Sequence, residues 1–493
     1  MVPTSGARAA LRTPTWRRLV ALVAVMGIVG TACGRSGDST GDDSAGATSG
    51  SSAPPTSAEG SAAGEFGDLG KVCGPAPAGT TLTATDTGVT ESSIQIGTVA
   101  DPGFTGRPGV NQEMFDSAEA FSKWCNEAGG INGRKIDVKE RDAKLIEHQA
   151  RMIEACDEGD FMLVGGGGIF DDQGQQERLA CGLPAIGGMV PNAVAVDADL
   201  MMTPAANDLK TLPIGDLRWL GKTFPDATQK IGLMTGGISV TITAADRAKE
   251  AMASLGWKVV YDEQFNAAGE TSYRGYVEAM KAAGVRGFIW TADPSALASV
   301  LKAMAEIEYH PDFVRAATNI YDGVLLAEAG PAADNTYIMG TTYPFLDPET
   351  AKKNPATQQY LDIMAEYDPG GKIANLGVTG FSAWLLFAKA AAECGAELTR
   401  DCVWANANAI TEWTGGGLHA PQDLESRRAS ECFVEIEAKD GTWVLPDIDP
   451  NDGVFNCDPK NVFESQANWG AGTGARCGNP AFATDPTPSS CVP

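Results

Sequence analysis

A regular alternation of short apolar runs with amphipathic stretches constrains this sequence more than any other feature, and it extends from about residue 88 to about residue 460. Ile94–Ala100 has the composition of a buried strand, and Met114, Ala118 and Phe121 follow it at helical spacing. Strands that alternate with helices of about ten to fifteen residues indicate parallel sheets with helices on both faces. The sequence therefore predicts an α/β fold.

The same alternation restarts after about Leu212, which indicates a second sheet. The body is also too long for one compact core, because single cores stop growing beyond about 250–300 residues. We therefore predict two doubly wound parallel-sheet lobes joined by a hinge. The elements predicted for the second series are the strand Lys230–Met234, the helix Ala244–Leu255, the strand Trp257–Tyr261, the helix Tyr273–Ala283, the strand Val285–Thr291, the helix Pro294–Glu306 and the strand Phe313–Ala317. The predicted segments are lobe 1 at 73–212, lobe 2 at 213–342, a mostly helical return segment at 343–463 that packs mainly on lobe 1, and a Gly- and Pro-rich tail at 464–493.

The N-terminal region has the pattern of an export signal followed by a tether. Residues 1–32 contain four arginines, no acidic residue and the apolar run Leu19–Gly30, which is shorter than the roughly 20 residues that span a bilayer. Residues 33–72 are rich in Gly, Ser, Ala and Thr, and such a composition cannot bury enough surface to fold. The residues before Cys33 resemble a bacterial lipobox, with Gly30 where leucine is commonest. This resemblance implies lipidation of Cys33 and anchoring on the extracytoplasmic face of the cell membrane. The alternative is ordinary signal cleavage and secretion.

The charge and the cysteines restrict the possible partners and the compartment. The formal net charge is −26, and it becomes −30 when the four signal arginines are removed, so binding to nucleic acid is disfavoured. Ten cysteines remain after Cys33, and an even number in an exported chain predicts disulfides. Cys125 and Cys156 lie near the ends of consecutive predicted helices, and we predict a bridge between them. The other pairing predictions concern Cys394, Cys402, Cys432 and Cys457, which should pair among themselves, and Cys477 and Cys491, which should staple the tail.

Signals for catalysis and for cofactors are weak. The nearest approach to a nucleophile-elbow motif is Gly380-Phe381-Ser382-Ala383-Trp384, which lacks the last glycine and lies in a helical pattern. Three scattered histidines favour neither a catalytic triad nor a zinc site. The run Gly165–Gly168 fails the dinucleotide fingerprint, although glycines at a strand end can expose backbone N–H groups to a ligand. The alternative for this run is a tight turn that needs positive φ. We predict no enzymatic activity, no catalytic residues, no metal and no cofactor.

Several stretches together resemble a known family. Ile94-Gln95-Ile96-Gly97 followed by Asp101, and then Trp124–Arg134 (WCNEAGGINGR), is similar to the type I periplasmic solute-binding proteins of ABC transporters. The most similar branch binds leucine, isoleucine and valine. The resemblance implies a monomer that closes two lobes around a small-molecule ligand and presents it to an ABC permease in the membrane.

The resemblance also implies where the ligand binds. The implied contacts are Gly168, Ile169 and Phe170 in one loop, Gly188 and Met189 in the next, Ser239 and Thr241 in lobe 2, and Asp293, Asn319 and Tyr321 at later strand ends. In the amino-acid-binding members, Ser and Thr of the first two loops hold the charged groups, and this chain has apolar residues there. A buried zwitterion without such partners costs several kcal/mol per ion. An apolar or aromatic ligand with one polar end, facing Asp293 or Ser239, fits better. The alternative for Phe170 and Met189 is packing between the lobes.

From these observations we predict the extracytoplasmic solute-binding component of an ABC importer, with either an amino-acid-like ligand or an apolar or aromatic one. Two other classes stay open. A ligand sensor that acts on a receptor would carry a membrane span or signalling domain, and an exported enzyme would turn over a solute.

Overall fold

The computed structural model describes residues 63–205 and 208–469. The predicted signal, the lipidation site Cys33, most of the predicted tether, and Cys477 and Cys491 lie outside the described residues. None of the described helices is long and apolar enough to cross a membrane.

The first lobe contains a parallel five-stranded sheet in the order β2-β1-β3-β4-β5. Its elements, in chain order, are β1 (Ser93–Ala100), α1 (Gln112–Glu127), β2 (Lys135–Asp142), α2 (His148–Asp157), β3 (Met162–Val164), α3 (Gln175–Ala180), β4 (Ala185–Ile186), α4 (Ala193–Val196) and β5 (Met201–Met202). Residues 96–100 of β1 are buried in succession, because helices cover both faces of the sheet. Since β1 lies between β2 and β3 and is parallel to both, the C-terminal ends of these three strands lie side by side at one edge of the sheet.

The second lobe is built on a larger mixed sheet in the order β13-β12-β11-β10-β9-β7-β8. Its first elements are β6 (Thr211–Pro213), α5 (Gly215–Thr223), β7 (Ile231–Gly236), α6 (Ser239–Ser254), β8 (Val259–Phe265), α7 (Arg274–Ala283), β9 (Gly287–Thr291), α8 (Pro294–Glu306), β10 (Phe313–Ala316), α9 (Gly323–Ala329) and β11 (Thr336–Gly340). Strands β7 to β11 are parallel to one another. The predicted doubly wound α/β architecture is therefore confirmed.

The return segment divides between the two lobes. Its elements are α10 (Pro348–Ala351), α11 (Pro355–Tyr367), α12 (Asn375–Cys394), α13 (Arg400–Asn408), β12 (Cys432–Lys439), β13 (Thr442–Val444), β14 (Asn456–Cys457) and β15 (Val462–Glu464). Helices α11 and α12 pack on α1 in lobe 1. Strand β12 pairs antiparallel with β11, and β15 pairs antiparallel with β6, so both extend lobe 2. The chain thus passes between the two sheets three times.

Four disulfides are present in the described residues, and the predicted Cys125–Cys156 bridge is wrong. The pairs are Cys73–Cys125, Cys156–Cys181, Cys394–Cys402 and Cys432–Cys457. Strand β2 lies on one side of β1 and strand β3 on the other, so the connection from β1 to β2 and the connection from β2 to β3 run across the sheet in opposite directions. Because both crossovers are right-handed, their helices α1 and α2 cover opposite faces of the sheet. The two cysteines therefore lie in separate hydrophobic clusters. The predicted pairing within the later group of four cysteines is confirmed.

Candidate functional site

The predicted ligand loops of both lobes lie at the C-terminal ends of parallel strands, where open α/β sheets place their ligands. In lobe 1 these loops follow β1, β3 and β4, and in lobe 2 they follow β7, β9 and β10. The two edges are joined directly: the Arg107 guanidinium, on the loop after β1, contacts the Asp293 carboxylate, after β9, with 2.9 Å between Nη2 and Oδ2. The predicted loops of the two lobes therefore border one cleft.

Asp101 organises the lobe 1 edge. Its carboxylate is buried and accepts hydrogen bonds from the backbone N–H groups of Leu145 and Ile169, each at 2.8 Å. Lys144 and Leu145 have φ values of 46° and 75°, a left-handed conformation that costs free energy in residues other than glycine. The bond to Asp101 holds this strained turn in place. Burial raises the pKa of Asp101, and the two N–H donors partly oppose that effect.

The glycine run at the end of β3 is required by close packing. Gly165 has φ +75°, and a Cβ there would lie 2.4 Å from Nε1 of Trp384 in α12. A Cβ on Gly167 would lie 2.3 Å from the Met189 carbonyl oxygen, and one on Gly168 would lie 2.6 Å from the His148 ring. These contacts give the glycines a structural role at the turn. They also bring the loops after β3 and β4 together.

Asn192 connects the same two loops by hydrogen bonds. Its side-chain amide donates to the Ile169 carbonyl at 2.8 Å and to Asp171 Oδ1 at 2.7 Å. Asp171 is almost fully buried, and desolvation raises its pKa well above the ordinary value. Beneath the loops is a small cavity of about 40 Å³, lined mostly by apolar side chains and bordered by Asp171 and Met189. This arrangement makes the lobe 1 edge a rigid surface rather than a set of free loops.

The predicted lobe 1 residues present an apolar surface. Ile169, Phe170 and Met189 are half-buried, whereas Gly168 and Gly188 are buried. Met189 packs beside a small cluster that includes Met114 and Phe115 of α1. Packing inside lobe 1 thus accounts for part of the Met189 surface.

The predicted lobe 2 residues Ser239, Thr241 and Asp293 lie at or near the starts of the helices that follow β7 and β9. Ser239 is exposed at the start of α6, and Asp293 caps α8 by accepting a hydrogen bond from the Ala296 N–H at 2.9 Å. Thr241 is half-buried and donates its hydroxyl to the Ile238 carbonyl at 2.9 Å.

Asn319 and Tyr321 follow β10. Asn319 donates to the Ala292 carbonyl at 3.1 Å, so it braces the neighbouring strand end. Tyr321 is buried, and its hydroxyl accepts hydrogen bonds from the N–H groups of Phe345 and Leu346. The Tyr321 ring therefore lies in the buried core and not at the exposed edge of the cleft.

Sequence reasoning missed Arg107, Asp101 and Asn192 as members of this site. Asp101 could have been predicted from the sequence, because it is an acidic residue directly after an apolar run that predicts a buried strand. Arg107 is the only basic residue in the Gly- and Pro-rich loop between β1 and α1. The partners of both residues come from distant parts of the chain, so no local pattern predicts them.

The serine considered in the sequence forms a buried pair with a histidine. Ser382 Oγ lies 2.8 Å from His419 Nε2 and accepts a hydrogen bond from Trp413 Nε1–H at 3.0 Å. Both Ser382 and His419 are buried, so this pair fastens the 413–420 segment to α12 and does not face the cleft. In the described part of the chain, no group of three or more His, Cys, Asp or Glu side chains could hold a metal ion.

Comparisons with known proteins agree with this geometry. Residues 202–442 match the sequence model of a family described as periplasmic binding protein. No curated protein sequence matches the chain.

Solved structures with the same fold include three with informative names. A fatty acid ABC transporter substrate-binding protein from Thermomonospora curvata superposes with a TM-score of 0.62 at 16% identity, over 80% of this chain and 97% of its own. A leucine-binding protein from Thermotoga maritima gives 0.60 at 12% identity, over 74% and 99%. A branched-chain amino acid transporter substrate-binding protein from Streptococcus pneumoniae, in complex with isoleucine, gives 0.59 at 15% identity, over 72% and 100%. The match over residues 202–442 and the similarity to these structures identify the fold of this chain as that of the type I periplasmic binding proteins.

Proposed function

We propose that this protein is the extracytoplasmic solute-binding component of an ABC importer, anchored to the membrane by a lipid on Cys33. The family match and the paired strand-end loops support a role in ligand binding. The basic, apolar and small-residue regions before Cys33 support export, and they belong to the sequence outside the described residues. An ABC permease is the partner that this role requires.

We further propose that the cleft takes an apolar or aromatic compound with a single polar end. The observation that carries this proposal is the apolar character of the loops at the two facing edges. Their half-buried apolar side chains are Phe104, Ile169, Phe170, Met189, Ile238 and Val240. Apolar surface that a ligand covers contributes roughly 25 cal/mol per Å², without requiring a charged partner.

The ligands of structurally similar proteins define two classes to compare. The Thermomonospora curvata protein is named for fatty acids, which are apolar chains with one polar end. The Thermotoga maritima and Streptococcus pneumoniae proteins are named for leucine and for branched-chain amino acids, which are zwitterions. The lack of hydroxyl side chains at positions 169, 170, 189 and 190 supports the first class for this chain.

A thermal-shift screen with the purified mature protein tests the ligand class. A ligand that binds only the folded state raises stability by about 2.7 kcal/mol at a hundredfold excess over Kd. We expect medium-chain alcohols, fatty acids and aromatic compounds to raise the melting temperature more than leucine, isoleucine and valine do. Phe170→Ala should weaken binding of the best compound about tenfold, which corresponds to about 1.4 kcal/mol of lost apolar contact.

Lys302→Ala provides the matched control, because Lys302 is exposed on α8 and lies away from the strand ends. This variant should bind with wild-type affinity. Tight binding of leucine with no effect of Phe170→Ala would contradict the proposed ligand class and leave the family unchanged.

A further inference from the structure

Arg107 and Asp293 are a pair of opposite charges contributed by opposite lobes. Their side chains are 36% and 15% exposed, respectively, so the contact is accessible from the cleft. The Nη2–Oδ2 distance of 2.9 Å is that of a charge-assisted hydrogen bond. The pair thus places a cation directly against the carboxylate at the cleft edge.

Asp293 is held with one carboxylate oxygen available. Oδ1 accepts from the Ala296 N–H, and the Asp293 carbonyl accepts from Trp290 Nε1–H at 3.1 Å. The remaining oxygen, Oδ2, points to the cation. A carboxylate in this position is a ready partner for an ammonium group.

Arg107 is mounted on an ordered loop. Its backbone N–H donates to the Phe104 carbonyl at 3.1 Å, and the Gly109 N–H donates to the Pro102 carbonyl at 2.8 Å. The loop after β1 is therefore closed on itself, and the guanidinium is presented from a defined place.

Arg107 is the only basic residue in the six loops that follow β1, β3, β4, β7, β9 and β10. These loops are residues 101–110, 165–173, 187–192, 236–241, 291–295 and 317–322, and the acidic residues in them are Asp101, Asp171, Asp172, Asp293 and Asp322. Lys372 lies 3.9 Å from Asp322, so removal of Arg107 would leave Asp293 in particular without its cation, which would favour a positively charged ligand group beside Asp293. With Arg107 in place, the accessible carboxylate of Asp293 is already neutralised.

We propose that Arg107 is a built-in counter-cation that occupies the position an ammonium group of a ligand would otherwise take beside Asp293. The cleft thereby discriminates against amines and amino acids and favours apolar ligands without a free ammonium. This inference rests on the proposed function and names the residue that determines its specificity. A ligand ammonium would have to displace the guanidinium, and the two compete for the same carboxylate oxygen.

The test removes the guanidinium and offers an amine in its place. Arg107→Met removes the charge and keeps an unbranched side chain. The probes are n-octylamine, 1-octanol and octanoate, and their binding is measured by thermal shift and by calorimetric titration. We expect Arg107→Met to bind n-octylamine about tenfold more tightly than the wild type does, because Asp293 gains a free oxygen. Arg107→Lys retains a cation at the same place and should show no such gain.

The double variant Arg107→Met/Asp293→Asn separates a charge effect from added apolar surface. It should lose the gain for n-octylamine while its response to 1-octanol stays that of Arg107→Met. Circular dichroism establishes folding, and Arg107→Gln replaces Arg107→Met if the latter does not fold.

Two results would overturn the inference: no gain for the amine when the guanidinium is absent, or a gain that persists in the double variant. The proposed ligand class is tested separately: if the wild type shows no thermal shift and no calorimetric signal with 1-octanol or octanoate, that class is wrong. The amine comparison among the variants remains interpretable in that case.

Discussion

Buried polar side chains fasten distant segments of this protein to each other. His419 shows this most clearly, because its ring lies between Ser382 and the backbone carbonyl of Ala420. The Ala420 carbonyl can only accept, so Nδ1 carries a proton and donates it there, and Nε2 of the neutral ring can accept from the Ser382 hydroxyl. The network therefore accommodates a neutral imidazole. Burial lowers the pKa of His419 to about 4.

This pKa predicts a pH-dependent loss of stability. In the unfolded chain His419 binds a proton near its ordinary pKa of 6.5, whereas in the folded chain it does so only near 4. The stabilisation is complete above pH 6.5 and is lost as the pH falls toward 4, by up to about 3 kcal/mol. Denaturant unfolding at several pH values gives the free energy of unfolding as a function of pH. In this window the slope of that free energy against pH should be shallower for His419→Gln than for the wild type. His310→Gln, at an exposed position, should keep the wild-type slope. Equal slopes for all three proteins would show that His419 does not titrate as described.

Among the elements, the segment before β1 is fixed to α1 by both packing and a covalent bond. Phe66 is fully buried, with its ring centroid 6.2 Å from that of Trp124 and 5.4 Å from that of Phe381. Cys73 then bonds to Cys125 near the end of α1. Part of the stretch predicted as tether is therefore packed against lobe 1.

The disulfide pattern predicts two different losses of stability. The Cys73–Cys125 bridge joins cysteines that are 52 residues apart in the sequence, whereas the Cys394–Cys402 bridge joins cysteines that are 8 residues apart. By loop entropy, removing the first pair as Cys73→Ala/Cys125→Ala should cost about 4 kcal/mol, and removing the second about 2–3 kcal/mol. Urea unfolding of the two double variants measures the difference. A non-reducing peptide map that contained a Cys125–Cys156 peptide would contradict the pairing.

On the scale of the whole molecule, charged contacts join the lobes at two places. Arg107 and Asp293 meet across the strand ends, and Lys372 lies 3.0 Å from Glu113 of lobe 1 and 3.9 Å from Asp322 of lobe 2. The second group is located where the return segment passes from lobe 2 to lobe 1. Movement of one lobe against the other must alter the Arg107–Asp293 and Lys372–Asp322 contacts, since each joins residues carried by different lobes.

The proposed anchor is a property of the whole molecule as well, because it sets where the lobes operate. Cys33→Ala, expressed in a bacterium that processes lipoproteins, should move the protein from the membrane fraction to the soluble fraction, because the variant cannot carry the proposed lipid and none of the described helices is long and apolar enough to cross a membrane. Fractionation and mobility on denaturing gels measure the change. Substitution of Ser36 by alanine, three residues later, should leave the distribution as it is. A Cys33→Ala protein that stays in the membrane fraction with unchanged mobility would exclude this residue as the lipid site.

The sequence by itself determined the alternation of strands and helices, since that pattern is encoded in short windows by periodicity and turn residues. The predicted helix Pro294–Glu306 is observed with the same bounds, because a capping Asp and a Pro mark its start. By contrast, α6 begins at Ser239 rather than Ala244, because the β-branched stretch after Gly237 has a low helix propensity that tertiary packing overrides.

Only the tertiary structure decided which distant groups meet. It gave Cys125 a partner in the N-terminal segment, placed Tyr321 in the core, and set Arg107 against Asp293. Each of these outcomes depends on which face of a sheet a helix covers and on how the two lobes approach. Such long-range choices are made by the burial of surface over the whole chain, and no local stretch of sequence contains them.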